Sequence, residues 1–219
     1  MREGYCIVTG ASSGIGLAVA TLLASMGREV VATARDESRI PSIGGAERAR
    51  LDPGDPASIA AFAERMRARG GTLALLVNNA GYGAMGPIAE LGWDDYMAQL
   101  AVNFAGPMRL AGSLLPLMAR GSIIADIGSV SGDFPTPFAG AYCASKAALH
   151  AAEESLRVEL APFGVHVLSA RPGGIRSAFG ARALEAAYKP RPGSAYESFA
   201  GGIAARATES QAKAASAED

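Results

Sequence analysis

Cysteine is nearly missing from this chain of 219 residues: only Cys6 and Cys143 occur. One lies in an apolar run and the other in an Ala-rich stretch, which excludes the disulfide framework of a small secreted domain. Both are read as free thiols. An excess of one charge sign is missing too. Twenty basic against 21 acidic side chains leave a formal net charge of -1, so no global attraction to nucleic acid or to an anionic membrane is expected. No uninterrupted apolar stretch is long enough to span a bilayer. The opening "MREGYCIVTG" passes straight into a short apolar run and a glycine turn, without the h-region and cleavage site of a signal peptide. The expected location is the cytoplasm, and no metal site is expected.

What is present is the composition of a turn-rich globular protein, with 49% hydrophobic residues, 27 Gly and 12 Pro. The length calls for one domain. "YCIVT" (Tyr5 to Thr9), "REVVATA" (Arg28 to Ala34), "LALLV" (Leu73 to Val77), "SIIADI" (Ser122 to Ile127) and "VHVLSA" (Val165 to Ala170) are short apolar or β-branched runs and read as strands. A shorter strand is expected to end at "ARLD" (Ala49 to Asp52). Between them, Gly14 to Met26, Pro56 to Arg69, Trp93 to Met118 and Ala141 to Leu160 have helical length. Near-continuous rather than alternating hydrophobicity suits strands covered on both faces. The alternation predicts an α/β fold, a doubly wound, Rossmann-type parallel sheet with helices on both faces. Residues 1–172 form the dinucleotide-binding and catalytic core in this reading, and 173–219 a shortened lid region and polar tail without a convincing final strand.

"VTGASSGIG" follows the first strand and opens the first helix, with glycines at 10, 14 and 16. Such glycines allow a sharp turn and a close approach of backbone N–H groups and the helix N-terminus to a pyrophosphate. A tight turn without a ligand is the alternative; the position at the start of a β-α-β series favours the cofactor. About 20 residues on, NAD-binding sheets place an acidic residue at the end of the second strand to hold the ribose hydroxyls. Here that strand ends "VVATARD", with Ala34 in the acidic place and Arg35 after it. A guanidinium suits a 2′-phosphate, so NADP(H) is favoured over NAD(H). Asp36 beside it, or an Arg35 that is merely solvated, would weaken that preference.

Tyr142 and Lys146 lie four positions apart in "AYCASKAALH" and share one helical face. A free phenol has a pKa near 10, too high for proton exchange at neutral pH, and a fixed ammonium nearby stabilises the phenolate. A tyrosine on a helix is often only packing. Ser129, in "DIGSVSG" at the end of the preceding strand, strengthens the chemical reading, because ligands of open α/β sheets bind at that carboxyl edge.

Thr9 to Gly16, Asn78-Asn79-Ala80-Gly81, Asn103, Ser129, Tyr142 to Lys146 and Pro172-Gly173, in this order and spacing, resemble the compact branch of the short-chain dehydrogenase/reductase family. The resemblance covers roughly residues 5 to 177. Within the family, "YCASK", "GSVSG" and "VNNAGYGAMGPI" are most similar to 17β-hydroxysteroid and retinol dehydrogenase-like members. The resemblance implies an oxidoreductase that interconverts a carbonyl and a secondary alcohol. Tyr142 would be the acid/base, Ser129 would bind the substrate oxygen, Lys146 would lower the tyrosine pKa and hold the nicotinamide ribose, and Asn103 would position a water in a proton relay. Gly10, Ser12, Ser13, Gly14, Ile15 and Gly16 would cradle the phosphates, with Arg35, Asp52, Asn79, Ala80 and Gly81 on the adenosine side. Pro172, Gly173, Ile175 and Ser177 would lie near the nicotinamide.

The sequence departs from the family twice. "PGGIRS" puts Ser177 where a threonine is usual, although a serine hydroxyl can make the same hydrogen bonds. No seventh strand is evident before Asp219. Tyr82, Met85, Phe134, Phe138 and Phe179 suggest a hydrophobic small-molecule substrate, or else core packing. Family resemblance also implies a homodimer or homotetramer. A catalytically weak NADP(H)-binding regulatory or scaffold protein is the rival expectation.

Overall fold

The computed structural model describes residues 3–175 and 190–217. Six parallel strands form one sheet: β1 (Tyr5–Thr9), β2 (Val30–Ala34), β3 (Glu47–Arg50), β4 (Leu73–Asn78), β5 (Met118–Ile127) and β6 (His166–Ala170), in the order β3-β2-β1-β4-β5-β6. Every residue of β1, β2 and β4 is buried, as central strands covered on both faces must be. Their alternate side chains feed two cores. Ile7, Val31, Leu76 and Ile124 pack with Ile59, Phe62 and Met66 of α2 (Pro56–Arg69) and with Leu110 and Leu114 of α4 (Gly106–Leu114). Cys6, Val8, Ala32 and Val77 face the other way, onto Ala20 and Leu23 of α1 (Gly14–Ser25). Each fully buried side chain of the size of Leu114 or Met66 contributes about 1.5–3 kcal/mol relative to an exposed one.

Local chemistry sets the element ends. The Asp55 carboxylate accepts from Ala57 N–H at 2.9 Å, Pro56 occupies the first position of α2, and Gly70 closes it at φ 72°. The long helix expected from Trp93 to Met118 is not α-helical throughout and stops one residue sooner. It consists of α3 (Trp93–Leu100), a π-helical segment (Ala101–Ala105) and α4, followed by a short 3₁₀ turn (Leu115–Leu117). Pro107 explains the change, since it has no N–H to give to the carbonyl of Asn103 four residues earlier. Gly106 N–H instead reaches the Ala101 carbonyl. Pro116 ends the helical stretch, and Met118, expected at a helix end, is the first residue of β5.

The smaller differences also concern ends. β2 starts at Val30 rather than Arg28, whose guanidinium donates to the Gly4 carbonyl at 3.2 Å. β3 ends at Arg50, which leaves Asp52 in the following turn. α5 spans Gly140–Leu160 and α6 spans Ala200–Ala212. After α6, Ala215 N–H donates to the Gly174 carbonyl at 3.1 Å, and an isolated parallel bridge joins Ile175 to Ala215. Among the described residues no helix is long and apolar enough to cross a membrane.

Candidate active site

The chain winds outward from β1 through β2 to β3, and in the other direction from β4 through β5 to β6. The carboxyl edge where that order reverses is where open α/β sheets leave a crevice. A cleft of about 640 Å³ lies there, with walls from the glycine turn after β1 and from Arg35, Asp52, Gly81, Ser129, Tyr142, Lys146, Pro172, Gly173 and Ile175.

The glycine turn is held by Asn79. Its side-chain amide donates to the carbonyls of Thr9 at 2.8 Å and Gly10 at 3.3 Å, while the Thr9 hydroxyl accepts from Asn79 N–H and Ala80 N–H at 2.9 and 3.0 Å. A side chain at Gly16 would put its Cβ 2.3 Å from the Asn79 amide nitrogen and 2.5 Å from the Gly10 carbonyl oxygen. Gly16 therefore serves turn packing and does not line the cleft, whereas Gly10, Ser12, Ser13, Gly14, Ile15, Asn79 and Ala80 do. Gly10 and Gly14 have φ of 67° and 59°, a region disfavoured for L side chains. α1 starts with neither an acidic residue in its first turn nor a side-chain cap from Ser13. Its positive end is left for an anion, and a dinucleotide pyrophosphate fits that cradle.

On the adenosine side, Asp36 borders the cleft and uses one of its carboxylate oxygens locally. Its carboxylate accepts from Ser38 N–H and the Ser38 hydroxyl at 3.0 and 2.6 Å, capping a short 3₁₀ turn, and these bonds hold its pKa below the usual carboxylate range. Arg35 lines the cleft, and so does Arg39, which the sequence pattern did not single out. Asp52 caps its own turn, accepting from Gly54 N–H at 3.0 Å, and still borders the cleft.

Tyr142 and Lys146 project from the first turns of α5, both at the cleft wall. The Tyr142 hydroxyl lies close enough to Ser129 for the serine to influence it, and Ser129 Oγ accepts from Ser131 N–H at 3.1 Å. Burial raises the tyrosine pKa above its ordinary value, and the nearby Ser129 hydroxyl partly opposes this. Lys146 donates to the Ile127 carbonyl at 2.6 Å. Burial lowers its pKa to about 8, against the pull of the Glu153 and Asp126 carboxyls. With protein groups alone, then, lysine is not what governs the phenol.

Asn103 lies in the π-helical segment, buried at 1% exposure, and does not face the cleft. Its amide donates to the Tyr82 carbonyl at 2.8 Å and the Ser145 hydroxyl at 3.0 Å, and its carbonyl accepts from Tyr82 N–H at 3.0 Å. The side chain thus joins the loop after β4 to α5, with both amide hydrogens in use. Among the expected pocket residues, Tyr82, Met85 and Phe138 line the cleft, while Phe134 is 76% exposed and does not. Ser177 and Phe179 lie outside the described residues. His150, Asp126 and Glu153, buried behind Ser129 and Lys146, carried no sequence motif that would have found them.

Residues 5–187 match the short chain dehydrogenase family. The chain is 37% identical over 218 residues to "Short-chain dehydrogenase PC-15" of Penicillium crustosum, covering 96% of this chain and 79% of that protein. It is 40% identical over 196 residues to human "17-beta-hydroxysteroid dehydrogenase type 1", covering 82% of this chain but only 59% of that protein. A short chain dehydrogenase/reductase from Burkholderia phymatum in complex with NAD superposes with a TM-score of 0.83 at 27% identity, over 100% of this chain and 84% of that one. A metagenomic short-chain oxidoreductase in complex with NADP gives a TM-score of 0.75 at 33% identity, over 98% and 95%. A matched family spanning most of the chain, on a parallel sheet with serine, tyrosine and lysine meeting at its carboxyl edge, makes this protein a member of the short-chain dehydrogenases, a nicotinamide-dependent oxidoreductase.

Proposed function

We propose that the protein interconverts a carbonyl compound and a secondary alcohol using NADP(H), with Tyr142 as proton donor and acceptor. The observation that carries this reading is the meeting of Ser129, Tyr142 and Lys146 at the wall of the cleft that the glycine turn opens into. When bound, the dinucleotide supplies the hydride exchanged with the carbonyl carbon. Ser129 and Tyr142 then hold the substrate oxygen, and Tyr142 gives it a proton in reduction or removes one in oxidation. Lys146 holds the nicotinamide ribose, and its charge adds to that of the oxidised nicotinamide in stabilising the phenolate. Asn103 acts through the loop at Tyr82 and through Ser145, and so supports the proton relay by holding its walls.

Arg35 and Arg39, two guanidinium groups in the cleft, support NADP(H) over NAD(H). Tyr82, Met85 and Phe138 support a hydrophobic substrate. Residues 173–219 serve as its covering region, residues 1–172 as the catalytic core, and the working form is a cytoplasmic homodimer or homotetramer. Titration with NADPH and NADH, followed by nicotinamide fluorescence, tests the cofactor reading: NADPH is expected to bind more tightly, and Arg35→Ala to weaken NADPH selectively. A panel of hydrophobic ketones with NADPH tests the reaction. Tight NADPH binding with no turnover across such a panel would favour a binding-only regulatory role.

A further inference from the structure

His150 lies one helical turn beyond Lys146 on α5, and its side chain is 7% exposed. The ring is seated between Gly128 and Gly132, the two glycines of "GSVSG" that bracket Ser129. A Cβ on Gly128 would lie 2.4 Å from the ring Nε2, and one on Gly132 would lie 2.5 Å from Cε1. Any side chain at either position would displace the imidazole, which gives that motif's glycines a reason. Ser129 N–H donates to His150 Nε2 at 3.4 Å. A ring nitrogen that accepts carries no proton, so the proton of the neutral ring is on Nδ1, 3.3 Å from the Asp133 carboxylate. Asp133 is in turn held by Arg171 at 3.0 Å.

We propose that His150, as the neutral Nδ1–H tautomer, is a positioning residue that latches the Ser129 loop against α5, and that protonating its ring releases this latch. The inference rests on the reading of Ser129 and Tyr142 given above. A second proton would sit on Nε2 and oppose the Ser129 N–H, donor against donor, on the residue whose hydroxyl meets Tyr142. The charged groups facing the ring are Asp133 after the Ser129 turn, Arg171 after β6 and Lys146 on α5. Burial, Arg171 and Lys146 hold its pKa below the ordinary histidine value and outweigh Asp133, so the neutral ring prevails at pH 7.

The chain has two histidines, His150 and the exposed His166 on β6, so spectra of protein labelled with 15N-histidine contain two rings only. The expected result is an Nδ1–H tautomer for His150 at pH 7, a midpoint below the ordinary histidine value, and a Ser129 amide resonance that shifts with the same midpoint. An Nε2–H tautomer, or a Ser129 amide indifferent to His150 titration, overturns the proposal. In kinetics, His150→Leu is expected to lower kcat about tenfold or more with little change in NADPH affinity. His150→Gln, whose side-chain carbonyl can accept from the same N–H, is expected to recover most of that loss and to remove the histidine from the acid limb of the pH profile. Equal loss in both variants counts against the latch. Because the spectra need no turnover, failure to reduce any carbonyl would count against the proposed reaction and leave the test of the latch intact.

Discussion

The Lys146 ammonium donates to the Ile127 carbonyl at 2.6 Å, at the carboxyl end of β5, while the phenol one turn before it meets Ser129. Burial, unopposed by the lysine, keeps Tyr142 a neutral phenol through the physiological range. Ultraviolet titration of wild type minus Tyr142→Phe should therefore show a phenolate step above the ordinary value of about 10. Adding NADP⁺ should move that step down, because a fixed positive charge favours the phenolate. A step at or below the ordinary value without NADP⁺ would contradict the burial argument.

Tyr142→Phe removes one oxygen from a side chain packed in the cleft wall. It is expected to fold, to bind NADPH as wild type does, and to lose turnover by about a hundredfold or more. Steady-state rates beside a fluorescence titration measure both. Near-normal turnover would sink the assignment of Tyr142.

Asn79→Ala deletes the amide that holds the carbonyls of Thr9 and Gly10, beside Gly16. Two carbonyls lose their donor and the glycine turn loses its strut, so stability should fall by about 1–3 kcal/mol. NADPH should bind more weakly, while kcat at saturating NADPH should change less. Denaturant unfolding together with NADPH titration separates these effects.

Glu153 is fully buried, and neither carboxyl oxygen has an aligned partner, although Ser169 is close enough to influence it. It faces a row of Asn78, Asp126 and Ser169 that sit in register across β4, β5 and β6. Burial pushes Glu153 up to about 7 and Asp126 to about 6. Between the ordinary carboxyl pKa and these values the folded chain holds more protons than the unfolded one. The contribution of both acids therefore falls as pH rises through that window. Lys146, lowered to about 8, acts oppositely, its contribution rising with pH from there towards the ordinary lysine value. Glu153→Gln should raise the melting temperature at pH 8 by roughly 3–6 °C and change it little at pH 5. Equal shifts at both values would show that the carboxyl does not titrate in this window.

The apolar runs around Ile7, Val31 and Leu76 were legible as strands because a strand covered on both faces must be apolar along its whole length. The glycines near β1 and the Tyr142–Lys146 spacing were legible because each is local, within one turn of chain. The change to π-helix at Asn103 was hidden although Pro107 was in plain view: the surrounding residues favour helix, and the π-helical segment lets the helix continue past the proline. Arg39 went unseen because a cation at a cleft is not distinguishable, in sequence, from one in solvent.

Sequence by itself determined the alternating elements, the glycine turn after β1 and the identity of the chemical groups, since these follow from periodicity and from side-chain chemistry over short spans. Tertiary structure decided what those groups touch. Asn79 closes on Thr9 across 70 positions of chain, and Ser129 meets His150 across 21. Asp36 turns one carboxylate oxygen to Ser38 while still bordering the cleft. The reason is that hydrogen bonding and burial depend on distances in space, and only the assembled sheet, with α5 packed beside β6 and reaching Ile127 of β5, brings these residues within reach.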